Sequence, residues 1–555
     1  VQGDPLDGLA AFWHNRVARL VRGTRARVWD QAEAARELRN RTYTLFLYSF
    51  FVESLVMLGF SVYIDGEPVA DLDLCGAYLV GSDDVALRAE ISFKKGRITC
   101  KKRAAGPAGL AILWPMAGGR RIMLETARLM ERDQPYILQI ELVRGRLTRI
   151  SQKLEEWGFY ESQEGDEFLR RFEQCRDLLI QALQADPPVQ AAAVADRALP
   201  QCVALSEDLS RHHADVLLDR RRESSGFGRR VLGCAVDLEH TDEAYRKRLA
   251  GAFDYVTIPC TWRLVEPAEQ KFNWKPIDAW VEWFAKKHIP MKGSPLLSFG
   301  ERNVPDWLYI WEHDFETLRD LAHEHVKRVV SRYTQYVSSW DVASGLHAEN
   351  GLSFTFEQLM ELTRMSAAVA KQIAPRCTAI IDLIAPWGEY YARNPRTIPP
   401  MLYAEMIVQS GVNFDAFGLQ FLFGLGVDGM YVRDMFQISA LLDRFSGVGK
   451  PLHVTAVQAP SDVTPERDDA WGGEKDPRDG GAWNDDWSET VQAEWLQAFY
   501  EIALSKPFVE SVSWSSLADG PGRIIPHGGL LRRDLVPKPA FDRILKLRSE
   551  GLGGS

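Results

Sequence analysis

The chain has no surplus of positive charge. Its 66 Lys and Arg against 76 Asp and Glu leave a formal charge of -10, which argues against a nucleic-acid partner because neutralising phosphates takes a basic face. Cysteine is sparse and unpatterned. Cys75, Cys100, Cys175, Cys202, Cys234, Cys260 and Cys377 are scattered, with no CxxC pair, so neither a disulfide framework nor a zinc site is signalled. Reduced thiols in a cytoplasm fit this pattern. No basic region leads into an apolar core at Val1-Gln2-Gly3-Asp4-Pro5, so a cytoplasmic protein is expected, or a secreted one if a signal segment has been removed. Long apolar runs are missing with one exception, Tyr43 to Ile64, whose only charge is Glu53. That glutamate would sit mid-span and Tyr and Ser interrupt the run, so a buried passage from helix to strand is expected rather than a membrane span. The acidic residues of 459–488 lack EF-hand spacing, and Asp237, Glu239 and His240 form only a weak metal signal. Neither a metal nor a cofactor is expected.

Tryptophan, by contrast, is abundant, with 17 residues. Flat rings stack on sugar rings, but most serve packing, so composition alone is a weak pointer to carbohydrate. With 555 residues the chain predicts several domains. Residues 1–42 hold an Arg-rich helical pattern. Residues 43–150 turn to short alternating runs broken by turns such as Asp65-Gly66 and Lys94-Lys95-Gly96-Arg97, which predicts a β-rich, sandwich-like domain. Strands are expected at Leu110–Trp114, Ile122–Glu125 and Ile137–Leu142. A carbohydrate-binding role for this domain and a purely packing role both remain open. Residues 151–225 read as a helical connector, interrupted at Asp186-Pro187-Pro188, and 549–555 as a flexible tail.

Residues 226–548 alternate short apolar runs with longer amphipathic ones. Strands are predicted at Val231–Val236, Tyr255–Ile258, Ile289–Leu297, Val337–Val342, Thr378–Leu383, Ala416–Leu422, Leu452–Val457 and Val509–Ser515. Helical patterns lie between them, at Ile277–Lys287, Phe315–Tyr336, Phe356–Ile373, Pro400–Ser410, Val432–Arg444 and Glu489–Ala503. Strand then helix, about eight times over, is the signature of an α/β fold of the (β/α)8 TIM-barrel type. In such barrels the chemistry sits at the C-terminal ends of the strands.

Several of these strand ends carry recognisable runs. They include Phe253-Asp254-Tyr255-Val256-Thr257, Trp262-Arg263-Leu264-Val265-Glu266-Pro267, Val304-Pro305-Asp306-Trp307-Leu308, Trp340-Asp341-Val342, Phe417-Gly418-Leu419-Gln420 and Pro537-Lys538-Pro539-Ala540-Phe541. In this order they resemble family 10 glycoside hydrolases, the retaining β-1,4-xylanases. The resemblance implies hydrolysis through two carboxylates about 5 Å apart, one acid/base and one nucleophile. It places them at the ends of the fourth and seventh strands. There this chain has Gly345, in Trp340-Asp341-Val342-Ala343-Ser344-Gly345, and Ala456, after Thr455. A methyl group cannot attack an anomeric carbon or hold a proton, so double displacement is closed at these positions.

Three explanations stay open: a pseudoenzyme that keeps the groove for binding, an active enzyme with relocated groups, or an enzyme inactivated by engineering at Ala456. Candidates for relocated catalytic groups are Glu349, Asp382, Asp341 and His347. Trp514, Gln420, Trp387, Gln458 and the Trp471, Trp483 and Trp487 of 459–488 are the expected sugar contacts. The ligand implied is a β-linked, xylan-like polysaccharide or oligosaccharide; a non-catalytic scaffold or a homo-oligomer is the alternative use of such a barrel.

Overall fold

A computed structural model of the protein describes residues 56–552 apart from 65, 104, 117–119, 162–164, 225, 241 and 467–472. The helical pattern of 1–42, most of the apolar run from Tyr43, Trp471 and the end of the tail fall outside the described residues. Eight strands close into one parallel barrel. They are β1 (Leu232–Ala235), β2 (Tyr255–Pro259), β3 (Met291–Ser294), β4 (Val337–Ser344), β5 (Thr378–Leu383), β6 (Ala416–Leu422), β7 (Leu452–Gln458) and β8 (Val509–Trp514), with β8 pairing back onto β1. Their near-continuous apolar runs suit strands covered on both faces, as parallel sheets require. Helices follow the strands, and two of them open on capping boxes, Thr355 with Gln358 and Asp434 with Gln437.

Two expectations need correction. The third strand is shorter than Ile289–Leu297, because Pro290 and Pro295 bracket it and a proline has no N–H to give a ladder. The strand expected at Ile137–Leu142 is only Tyr136–Ile137, after which the chain enters a helix, α1 (Leu138–Glu156). Leu138, Leu142, Leu147, Ile150 and Leu154 of α1 are buried at helical spacing. Over its first few residues such a run does not distinguish strand from helix.

Before the barrel stand two four-stranded sheets. The first contains Ala89–Lys94, Arg97–Lys102, Val56–Ser61 and Tyr136–Ile137; its hairpin turns through Lys95 and Gly96, both at positive φ, as a type I′ turn demands. The second contains Ala86–Leu87, Tyr78–Gly81, Ala108–Pro115 and Arg121–Glu125. Alternate residues of the second sheet serve two cores. Leu79, Leu110, Ile112 and Leu124 join Leu58, Phe60, Ile98 and Cys100 of the first sheet. Tyr78, Val80, Ala111, Leu113 and Met123 instead pack with Tyr431, from the segment after β6. The backbone fastens the same contact. Arg121 exchanges hydrogen bonds of 2.9 and 2.7 Å with Ala482, and the Met123 amide donates to the Val432 carbonyl at 2.8 Å.

The connector is helical: α1 is followed by α2 (Gly165–Gln184) and α3 (Pro188–Ser224), with the break at the predicted Pro-Pro. It ties the sandwich to the barrel through buried charge. Arg146 of α1 meets Asp434, the N-cap of the helix Met435–Ser446, at 2.5 Å, and both are almost fully buried. Glu207 of α3 accepts from the Trp483 indole at 2.7 Å and pairs with Arg120. Among the described residues no helix is long and apolar enough to cross a membrane.

Removing one partner of a buried ion pair leaves the other charge stranded, which costs about 3–5 kcal/mol. Arg146→Met is therefore expected to lower the unfolding free energy by about 3 kcal/mol in urea titrations. A change below about 0.5 kcal/mol, the size of an ordinary surface substitution, would show that the pair is not what holds α1 to the barrel.

Candidate functional site

The barrel lumen is unusually polar, from Lys292 in the N-terminal half of β3 to Asp382 near the C-terminal end of β5. Lys292 of β3 places its ammonium 2.9 Å from the Asp341 carboxylate of β4, and both are buried. Asp382 of β5 lies close by and is 1 % exposed. Its Oδ2 accepts from the Ser344 hydroxyl at 2.6 Å and the Gln420 amide at 2.5 Å, and its Oδ1 accepts from the Thr455 hydroxyl. Three strands thus converge on one carboxyl group. Gly418 of β6 makes room for it, since a Cβ there would stand 2.4 Å from Asp382 Oδ1 and 2.6 Å from Thr455 Cγ2. Burial, aided by the negative charge of Asp341, pushes the Asp382 carboxyl up to about 6, against the pull of its hydroxyl donors and Lys292.

Register shifts aim these side chains. The pairing of β4 with β5 skips Val342, and that of β6 with β7 skips Thr455. Each is a bulge, a device that re-aims side chains at a strand end. Thr455 reaches Asp382, and the next residue, Ala456, packs against Leu422, Leu425 and Ile525 with Val427, Met430 and Ile524 alongside. Gly345 sits at φ 68°, and a Cβ on it would lie 2.9 Å from Ile384 Cδ1. A side chain at this position is strained whatever its chemistry.

The structure therefore brings Asp341 and Asp382 together and leaves His347 and Glu349 elsewhere. His347 is wholly buried behind the wall, its Nε2 3.0 Å from the Ile384 carbonyl and its ring stacked on Tyr403. Burial pushes its imidazole down to about 4, so it is neutral at pH 7. Glu349 lies on the loop after β4 with its Oε2 against Gly300, where crowding by the protein raises its pKa.

The expected sugar contacts divide in the same way. Gln420 is half-buried at the end of β6 and holds Asp382. Trp514 is fully buried and donates to the Gly528 carbonyl at 3.0 Å. Gln458 is buried and donates to Ser516 at 2.7 Å. Trp487 is buried and donates to the Gly481 carbonyl at 2.9 Å, while Trp483 is the anchor to Glu207. Trp387 packs edge-on against Phe421 and lies under the Arg433 guanidinium, 4.3 Å from its ring centre. Arg433 is itself buried, 3.6 Å from Glu389 and bonded to Tyr78 of the sandwich at 3.1 Å. In this conformation Trp483, Trp487 and Trp514 are packed inside the protein and offer no open ring face.

Lys292, Ser344 and Thr455 were not among the sequence candidates. A lone lysine inside the short apolar strand β3 is the one signal that could have pointed to the network. Asp237 and His240 pair with each other at 3.6 Å, and Asp237 also pairs with Arg523. Among the described residues no group of three or more His, Cys, Asp or Glu is placed to hold a metal.

Because folded Asp382 keeps its proton to about pH 6, while an unfolded aspartate releases it near about pH 4, the folded state binds the extra proton between those values. Its contribution to stability is full below about pH 4 and is lost as pH rises through about 6. Urea titrations from pH 4 to 7 are expected to show a decline in unfolding free energy that is smaller in Asp382→Asn than in the parent. Identical slopes in the two proteins would mean that Asp382 does not titrate in this window.

The model of Glycosyl hydrolase family 10 matches residues 222–545. Endo-1,4-beta-xylanase B of Thermotoga neapolitana is 24% identical over 301 residues, 52% of this chain and 79% of that protein. Endo-1,4-beta-xylanase C of Paenibacillus barcinonensis is 22% identical over 251 residues, 40% of this chain and 22% of that protein. Among solved structures, xylanase 10B of Thermotoga petrophila aligns over 58% of this chain and 95% of its own, with 17% identity and a TM-score of 0.45. With more than half of its length matched by the family model, the chain belongs to glycosyl hydrolase family 10.

Proposed function

We propose that the barrel mouth recognises a β-linked, xylan-type glycan and does not cleave it by double displacement. The observation that carries this reading is the chemistry of the two strand ends where the family resemblance puts carboxylates. Gly345 has no side chain and a backbone that resists one, and half-buried Ala456 packs against Leu422, Leu425 and Ile525. Apolar neighbours stabilise no charge on a nucleophile. The relatives named above are xylanases, which supports a xylan-type ligand, and the half-buried rim residues Ser294, Gln420 and Ser515 supply neutral polar groups for hydroxyls. The sandwich serves packing in this reading. Its second sheet is covered on both faces, and the first turns Glu90, Ser92 and Lys94 outward rather than aromatic rings.

A second reading rests on Asp382. A buried carboxyl pushed up to about 6 is close to the range in which a general acid works; its carbonyl accepts from the Gly345 amide at 3.0 Å and its carboxyl accepts from Thr455, the residue before Ala456.

Calorimetric binding and reducing-sugar assays on xylan, cellulose and mannan, run beside Ala456→Glu and Asp382→Asn, separate the readings. The expected outcome is binding of xylan with no sugar released by the parent or by Ala456→Glu, which still lacks a partner at Gly345. Release by the parent that is lost in Asp382→Asn would replace the first reading with the second. Release by Ala456→Glu alone would identify position 456 as an inactivated nucleophile. The absence of binding to any of the three glycans would overturn recognition itself.

A further inference from the structure

At the opposite, N-terminal end of the barrel lies a cavity of about 570 Å³, a size typical of small-molecule sites. This is the end of a (β/α)8 barrel that usually serves stability alone. Its walls come from the first residues of several strands and from the segment that leads out of α3. The cations on these walls fall into two groups. Lys292 is matched by Asp341 at 2.9 Å; Glu510, the one carboxylate among the lining residues, lies 3.3 Å from His453, which bonds Ser511 at 2.7 Å. Arg221, Arg229 and Arg230 are not matched: among the described residues none of them forms an ion pair with a carboxylate.

Each of the three is placed differently. Arg221 is held by the carbonyls of Leu504, Lys506 and Val509, at 2.8, 2.9 and 3.2 Å. It therefore adds positive charge at a fixed point without a counter-ion. Burial lowers its pKa, and the more distant Glu510 offsets this only in part. Arg230 donates to the Ser338 hydroxyl at 2.5 Å, which leaves most of its guanidinium donors free. Arg229 is exposed beside it on the same wall. Ser338, Ser339 and Ser511 line the remainder, the hydroxyl of Ser338 also serving Arg230 and that of Ser511 also serving His453 and Tyr255.

We propose that this cavity binds a phosphate group, held by Arg229 and Arg230 in the field of Arg221, with the rest of a small phosphorylated molecule lying along the serine hydroxyls. Three guanidinium groups with Glu510 as the one carboxylate beside them leave a surplus of positive charge, which the charge concentrated on a single phosphate group suits. The planar fork of arginine matches its oxygens. A bound molecule would join the end of α3 to the barrel floor.

The experiment is calorimetric titration of the full chain with inorganic phosphate, glucose 6-phosphate and acetate at low ionic strength. Variants are Arg229→Ala/Arg230→Ala, whose side chains are exposed and, among the described residues, hydrogen-bond only to Ser338, and Gln420→Ala at the other end of the barrel. Glucose 6-phosphate is expected to bind more tightly than inorganic phosphate, with at least a tenfold loss in the double variant and none in Gln420→Ala. Equal affinity for the two phosphates would assign the site to free phosphate and overturn the role of the hydroxyls. The proposal fails if neither phosphate binds, if acetate binds as well as they do, or if the double variant binds unchanged. Xylan binding in the same preparations reports on the mouth separately, so either site can fail without the other.

Discussion

Two carboxylates and one lysine share the closed interior of this barrel, and that imbalance is the constraint around which the lumen is built. Lys292 neutralises Asp341. Asp382 is left as a second acid in a low-dielectric space where a bare charge is expensive. The structure meets the cost in two ways at once. It supplies hydroxyl and amide donors from β4, β6 and β7, and it lets the carboxyl keep its proton to higher pH. Gly418 is the packing counterpart of this solution, and the bulges at Val342 and Thr455 supply the geometry. Substitution at any of these positions would disturb the others.

The barrel mouth is bordered by loops that the rest of the chain has recruited. Tyr431, Val432 and Ala482, from the segments after β6 and β7, belong as much to the sandwich interface as to the barrel. Trp387 and Trp483, which could otherwise stack on a sugar ring, are engaged with Arg433 and Glu207. Aromatic rings in the loops around the mouth thus have protein groups as their partners. The same holds for polar groups: Gln420 uses its amide on Asp382.

Much of the fold was legible because periodicity and turn chemistry are local. The strands at Thr378–Leu383 and Ala416–Leu422 and the helix Phe356–Ile373 stand where their apolar patterns and caps put them. The errors occurred where a short apolar run carried no period, as at Ile137–Leu142, or where proline cut a strand short, as in β3. The site was less legible. Asp341 and Asp382 could be picked out as acids at strand ends, but that they share one lysine depends on side chains distant in sequence. The burial of Trp483 and Trp487 is a tertiary fact of the same kind, since a tryptophan in a Gly- and Asp-rich loop reads as exposed until its hydrogen-bond partner is known.

The second sheet of the sandwich has further consequences for how the family region can exist. Its residues Tyr78, Val80 and Met123 form a lid over Tyr431, and α1 contributes the arginine that answers Asp434. Cut at the limits of the matched region, the barrel would be left with an uncovered tyrosine, an aspartate without its cation and a strand-like loop edge at Ala482 with nothing to pair. Such an edge invites self-association. The segment that sequence comparison delimits as a domain therefore depends, in this protein, on the residues from Val56 onward for part of its own burial and pairing.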